Sequence, residues 1–357
     1  MKRGKSAFEA AGYEVETLRV ATSPFIAGLR AREREAALPL LQRFDALATA
    51  NGIMASIGPV LVTDRVDADL PGWAAELTRT TKNLSLSIAV ASPEVGVHHE
   101  AAAIAARTMI AVANVTTDGA ANFRFAAAAN ILPGTPFFPV AYHQGPDAVA
   151  IGLESANRVQ QAFAPASNAH EVTDRLRSML EADLAPVAGL AEAFARREGR
   201  AYLGIDPSPA PGQDRSIGAA IEALTHLPFG SASTLEACAA ITTALKTLQV
   251  RTCGYAGLML PVLEDPILAQ RATEGRYGIR DLLLYSSVCG TGLDVVPIPG
   301  DTPPETVAGL LRDVAVLSSK LRKPLSARLF LVPGKQAGEI VHFADPRLTE
   351  CAVLKVD

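Results

Sequence analysis

The apolar residues at the start of the chain change period in rotation, and this limits the fold more than any single motif does. Residues 14–20 (Glu-Val-Glu-Thr-Leu-Arg-Val) alternate as a strand does, and residues 28–50 carry apolar side chains at helical spacing. Asn51-Gly52 ends that helix. Residues 53–62 read as a strand interrupted by Gly58-Pro59, 73–80 as a helix and 84–90 as a further short strand. Strand and helix in alternation predict an α/β fold with a mainly parallel sheet. No internal repeat, low-complexity linker or charge run divides the chain, so one α/β domain over residues 1–357 is expected, its sheet closed or nearly closed.

Ser92-Pro93-Glu94 is expected to cap an alanine-rich helix running to about Ala113. Residues 122–150 break both periods with proline and glycine and read as extended and irregular. Beyond them, 148–153 and 202–206 read as strands, 171–198 as a long helix containing Pro186, and 216–224 and 233–248 as helices. The apolar run 281–288 reads as a strand leading into Cys289-Gly-Thr-Gly292, and 293–298 as another strand. Asp301 or Thr302 should cap a helix opened by Pro303 and ending near Leu321, and strands at 325–332 and 340–343 close the chain.

Composition removes whole classes of function. Lys and Arg total 33 against 37 Asp and Glu, a formal charge of −4 that leaves no basic footprint for nucleic acid. Hydrophobic residues are 49% and charged residues 20%, which excludes intrinsic disorder. No stretch approaches the ~20 apolar residues of a membrane helix, and the basic amino end lacks a signal-type apolar core, so a cytoplasmic location is expected. Cys238, Cys253, Cys289 and Cys351 lack zinc-type spacing and are expected to be free thiols. The chain contains no GxxxxGK[ST], GxGxxG or GxSxG, which demotes nucleotide hydrolases, ordinary dinucleotide-linked dehydrogenases and α/β-hydrolases.

Long irregular strings carry a family resemblance. Gly12-Tyr-Glu-Val-Glu-Thr-Leu-Arg-Val-Ala-Thr22, Asn122-Phe-Arg-Phe-Ala, Pro133-Gly-Thr-Pro-Phe-Phe-Pro139, Gly152-Leu-Glu-Ser155, Gly257-Leu-Met-Leu-Pro-Val-Leu-Glu-Asp265 and Tyr285-Ser-Ser-Val-Cys-Gly-Thr-Gly-Leu-Asp294 resemble the domain of unknown function 711 family over nearly the whole chain. The resemblance implies a single large ten-stranded α/β barrel of the pyruvate formate-lyase type, with a mixed parallel and antiparallel sheet and surrounding helices; it implies no established activity. Members usually begin with one more strand and helix, and this sequence starts inside that helix, so the barrel is expected to lack its first strand.

The residues themselves offer several chemical candidates. Cys289 lies on a glycine-rich turn with Ser287, Thr291 and Asp294, where a cysteine suits a nucleophile or proton donor as well as it suits a small buried hydrophobe. Arg124, between two Phe residues and beside Asn122, is either an anion clamp or a buried ion-pair partner. Glu154 and Asp206, both at strand ends, suit a general base or a turn cap, and His143 and Lys335 are further candidate substrate contacts. Asp214, Glu264 and Asp265 sit on polar turns as weak candidates for a divalent metal; no other cofactor is expected. His98-His99 are adjacent and cannot form the i, i+4 zinc face.

Arg251-Thr-Cys-Gly254-Tyr255 looks like a glycyl-radical signature, but it precedes Cys289 where such a loop should follow it. Barrel architecture without radical chemistry is therefore expected. The reading favoured overall is an enzyme acting on a small anionic metabolite in a barrel cavity without a nucleotide cofactor, as a homo-oligomer. A non-catalytic small-molecule-binding or regulatory protein is the alternative, and a glycyl-radical enzyme a more distant one.

Overall fold

The computed structural model describes residues 1–356. In chain order, α1 (Lys2–Ala10) is followed by β1 (Leu18–Ala21), α2 (Ala31–Ala50), β2 (Ile53–Leu61), α3 (Leu70–Thr80), β3 (Leu84–Ser92), β4 (Gly96–Val97), α4 (His99–Ala113) and β5 (Phe125–Ala129). The second half contains β6 (Ala148–Gly152), α5 (Ala156–Phe163), α6 (Ala169–Arg197), β7 (Ala201–Asp206), α7 (Ile217–Thr225), α8 (Thr234–Lys246), α9 (Pro266–Thr273) and α10 (Ile279–Tyr285). It ends with β8 (Gly292–Pro299), α11 (Pro304–Leu321), β9 (Leu325–Val332), β10 (Ile340–Val341) and β11 (Cys351–Ala352). The alternation read from the first 90 residues is present, and the central sheet is mostly parallel.

That sheet runs β1-β2-β3-β5-β9-β8, with β4 folded back on β3 and one antiparallel step between β5 and β9. Among the described residues its ladders do not close into a barrel. β6 and β7 pair only with each other, and β10 with β11. The stretch between β7 and β8 carries Gly254, Gly257 and Pro261, and it touches them through isolated bridges, Ile205 to Thr252 and Pro261 to Asp294, instead of a continuous ladder.

Register assigns the two faces, because side chains alternate along each strand. Arg19 is opposite Met54, Ala21 opposite Ser56, Ser56 opposite Ser85, Ser87 opposite Ala126 and Ala128 opposite Ser326. Arg328, two residues beyond Ser326, extends this small and polar face. The opposite face, with Leu84, Leu86, Ile88, Phe125, Leu325 and Leu329, joins the main core. The irregular residues after β5 cover the polar face. Ser56 donates from Oγ to the Ala141 carbonyl at 2.6 Å, and Phe137, Val140, Tyr255 and Met259 pack on Ala126 and Ala128.

Local expectations fail at four places, each for a physical reason. Residues 281–288 are not a strand. Asp281 accepts from the Gly278 amide at 2.8 Å and starts α10, whose Ile279, Leu282 and Tyr285 are buried on one side. Ser92-Pro93-Glu94 form the turn between β3 and β4, and the following helix starts only at His99, where the Asp64 carboxylate accepts from the amides of residues 99, 100 and 101. Asp301 accepts from the Gln336 side chain and does not cap α11, whose N-cap is Pro303. The irregular stretch 122–150 also contains β5, an alanine strand too featureless to show a period.

Candidate functional site

The polar face of the sheet gathers the chemistry. Arg328 stands on β9 with 7% of its surface exposed, and its Nε donates to Asp294 Oδ1 at 2.6 Å while Nη2 donates to Glu264 Oε2 at 3.0 Å. Its guanidinium lies 5.0 Å from the Phe123 ring centroid, and that of Arg347 lies 4.6 Å from the same centroid. Burial alone would lower the Arg328 guanidinium, but the adjacent carboxylates of Asp294 and Glu264 outweigh it and hold the group firmly charged. Beside it the Tyr255 hydroxyl and Ser326 Oγ share a 2.8 Å hydrogen bond, and burial pushes the phenol upward so that it stays protonated.

Arg19 and Glu154 form a second part of the same region. Arg19 is solvent-exposed, yet crowding by the surrounding protein lowers its guanidinium. It lies 5.5 Å from the Phe138 ring centroid and feels the charges of Glu154, Glu16, Glu264 and Arg328. Glu154, just past β6, is 2.9 Å from Arg215 Nη2. Its carboxyl is pushed up to about 7, chiefly by burial and then by a hydrogen bond to Glu16 and the charge of that neighbour, while Arg215 and Arg19 pull the other way. A carboxyl in this state can give or take a proton near neutrality, with cations at hand for a negatively charged partner.

The structure separates the remaining sequence candidates. Asp206 is fully buried and accepts from the Ser208 amide and hydroxyl and from the amides of Tyr255 and Ala256, so it organises the turn that presents Tyr255. Gly254 belongs to that turn: its φ is +68°, and a Cβ there would meet Asp206 Oδ2 at 2.0 Å. Arg124 is bound to Thr81 Oγ1 and the Thr78 carbonyl, at the start of β5. Cys289 belongs to the other end of that strand, because it precedes β8, and the start of β9 beside it pairs with Ala129. Arg124 and Cys289 therefore do not share a pocket.

Cys289 is 1% exposed and its sulfur accepts from the Gly292 amide; the glycines pack it in, and Cys253 is the one cysteine of the four that is not buried. Asn122 is buried and donates to the Leu329 carbonyl, and Thr291 is buried on the strand side of the cysteine turn. Ser287 donates to the Leu284 carbonyl, His143 bonds the Gly145 carbonyl, and Lys335 lies 4.0 Å from Glu339 on an exposed turn.

The three metal candidates do not converge. Asp214 pairs with Arg215, Glu264 with Arg328, and Asp265 caps two helices through the amides of residues 217, 218, 267 and 268. Among the described residues no three His, Cys, Asp or Glu side chains are grouped to hold a metal ion, and between Glu264 and Asp294 the cation is a guanidinium. Also among them, no helix is long and apolar enough to cross a membrane.

Arg19, Arg328 and Ser326 are the functional candidates that sequence motifs miss. The available signal is alternation: Leu84-Ser-Leu-Ser-Ile88 and Leu325-Ser-Ala-Arg-Leu329 place small or charged residues on one face of strands that are otherwise apolar.

Comparison with known proteins matches residues 1–345 to a family model described as "Uncharacterised ACR (DUF711)". A UPF0210 protein of Pyrobaculum islandicum is 32% identical over 349 residues, covering 92% of this chain and 76% of its own. UPF0210 proteins of Pyrobaculum arsenaticum and Syntrophobacter fumaroxidans are 31% and 28% identical, with 92% and 93% of this chain covered and 76% and 77% of theirs.

Proposed function

This chain belongs to the DUF711 family, which has no assigned function, and we propose that it is an enzyme acting on a small anionic metabolite held at Arg19 of β1 and Glu154 just past β6. Arg19 holds the anion, Glu154 exchanges the proton with Glu16 as its partner, and Arg328 with Tyr255 forms the rigid floor. The observation that carries this reading is the raised Glu154 carboxyl within charge range of Arg19. Perturbed carboxyls concentrate at catalytic sites, and a lone structural ion pair would hold the group low instead. No nucleotide cofactor is required, consistent with a chain that has no glycine-rich phosphate loop.

The same charge coupling bears on architecture. β1 and β6 are the free edges of separate sheets, and side chains at those edges sense each other. We read these two edges as the open seam of a barrel of the pyruvate formate-lyase type, with the Gly254 turn serving to anchor Tyr255.

The test is a panel of small carboxylates and phosphates incubated with wild-type protein, Glu154→Gln and Arg19→Gln, with binding followed by calorimetry and turnover by NMR. One compound should be converted, with the rate falling about 10²–10⁴-fold in Glu154→Gln and binding weakening about 10–100-fold in Arg19→Gln. Binding at Arg19 without conversion would move the protein to the class of sensors. No binding by any anion would contradict the reading.

A further inference from the structure

The floor formed by Arg328 and Tyr255 is not sealed. On β5, β8 and β9 the residues of the apolar face, such as Ala127, Leu293, Leu325 and Leu329, have no exposed surface. On the polar face Ala128, Ser326, Arg328 and Asp294, with Tyr255 and Met259 over them, each keep between 3% and 7%. A narrow gap therefore lies on this side of the sheet and not on the other. Arg19, the residue assigned to the substrate's anion, feels the charges of both Glu154 and Arg328, so the gap adjoins the anion position. We propose that this gap takes an uncharged oxygen of the substrate, a carbonyl or a hydroxyl, with Tyr255, Ser326 and Nη1 of Arg328 as its partners. The inference rests on the reading of Arg19 as the anion holder, and it narrows the substrate class to small oxo or hydroxy acids.

The first support is an uncommitted donor on a side chain more than nine-tenths buried. Arg328 gives Nε to Asp294 and Nη2 to Glu264, while Nη1 makes no hydrogen bond among the described residues and is not sealed from the gap. Native interiors seldom leave such a group without an acceptor. Beside it, Ser326 Oγ lies 3.2 Å from the Thr291 carbonyl and 2.8 Å from the Tyr255 hydroxyl. When Ser326 donates to Thr291, Tyr255 donates to Ser326 and keeps its lone pairs; when Ser326 turns to Tyr255, the phenol is left as the donor. The pair thus suits an oxygen of either polarity. Charge decides against an ion, because a further carboxylate would face Asp294 and Glu264, and an ammonium would face the guanidinium. A neutral oxygen meets neither obstacle.

The second support is backbone strain on both sides of the gap. Ala256, next after Tyr255, has φ +45°, and Val295, next after Asp294, has φ +43° where the β8 register slips between Leu293 and Val296. Left-handed backbone is uncommon for alanine and an outlier for a β-branched residue, and strain of this kind gathers where a fold aims polar groups at a ligand. The surrounding protein holds both turns. Asp206 accepts from the amides of Tyr255 and Ala256, and the Val262 amide donates to the Asp294 carbonyl at 3.1 Å.

The experiment uses the full chain and measures dissociation constants, by ligand-detected NMR, for pentanoate and its 2-oxo, 4-oxo, 2-hydroxy and 4-hydroxy derivatives. Wild-type protein is compared with Tyr255→Phe, Ser326→Ala and Arg19→Gln. At least one oxygenated acid should bind the wild type about 10-fold or more tightly than pentanoate, because the plain acid leaves the buried donors unpaired. Tyr255→Phe, which keeps the ring, should bring that ratio below about 3, and Ser326→Ala should lower it in the same direction. Pentanoate binding by these two variants reports whether the anion position is intact. Arg19→Gln should weaken every acid by about the same factor and leave the ratio standing. An oxo acid showing the preference identifies a carbonyl, and a hydroxy acid a hydroxyl. A ratio near 1 in the wild type, with Arg19→Gln still weakening each acid, would overturn this inference and leave the reading of Arg19 in place. So would a ratio that survives in both Tyr255→Phe and Ser326→Ala. Failure of every acid to bind would contradict both.

Discussion

Arg328 is the centre of the ion-pair cluster on the polar face of the sheet. It neutralises the buried Asp294 and the part-buried Glu264, and removing it leaves the Asp294 carboxylate without its cation and Glu264 with only the charge of Arg347 nearby. Arg328→Met should therefore cost about 3–5 kcal/mol in denaturant unfolding, whereas adding Asp294→Asn and Glu264→Gln should recover most of the loss. A loss under about 1 kcal/mol in the single variant would mean that the cluster is hydrated. Residue types at strand ends lead to Glu154 from sequence alone, and the glycine-rich turn around Cys289 leads to Asp294. They do not lead to Arg19 or Arg328, because each is a single charge in an otherwise ordinary strand, and its importance depends on which face it shares. Cys289 shows the reverse: its glycine neighbours suggest an open loop, yet Gly290 and Gly257 stack backbone on backbone, with a Cβ on either meeting the other at 2.6 Å, and close the turn over the thiol.

Among the elements, the strands and helices with strong local periods were legible, and the failures trace to partners far away in sequence. The start of α4 is set by Asp64, 35 residues before His99, through bonds of 3.0, 2.7 and 3.0 Å to three successive amides. No local pattern at Ser92-Pro93 could show that. Asp64→Ala should lower stability by about 1–2 kcal/mol, as loss of a helix cap does. Burial tends to raise the Asp64 carboxyl, and the three amide bonds outweigh it and hold it below its ordinary value. Its contribution is thus present above the unfolded pKa of ~4 and is lost as pH falls below it. Denaturation curves for the wild type and Asp64→Ala should converge between about pH 4 and pH 2; a constant gap across that range would show that the carboxylate charge is not what caps the helix.

At the scale of the whole molecule, helices and the apolar sheet face make the core, which leaves the opposite face free to be polar. That division was only half visible in the sequence: alternating strands announced a mainly parallel sheet, but the order β1-β2-β3-β5-β9-β8 depends on a β5-β9 pairing such as Ala127 with Ala327, far apart in the chain, which no local pattern shows. Glu154 lies just past β6, within charge range of Arg19 on β1. A carboxyl raised in the folded state stabilises fully below its unfolded pKa of ~4.3, and that contribution is lost as pH rises through the folded value of about 7. Wild-type stability should accordingly decline from pH 5 to pH 8 relative to Glu154→Gln. The most direct measurement is a carbon-detected NMR titration of the glutamate side-chain carboxyls. One resonance with a midpoint near 7, absent in Glu154→Gln and moved downward in Glu16→Gln, is the result predicted. Glutamate midpoints that all fall below about 5 would contradict the proton exchange proposed for Glu154.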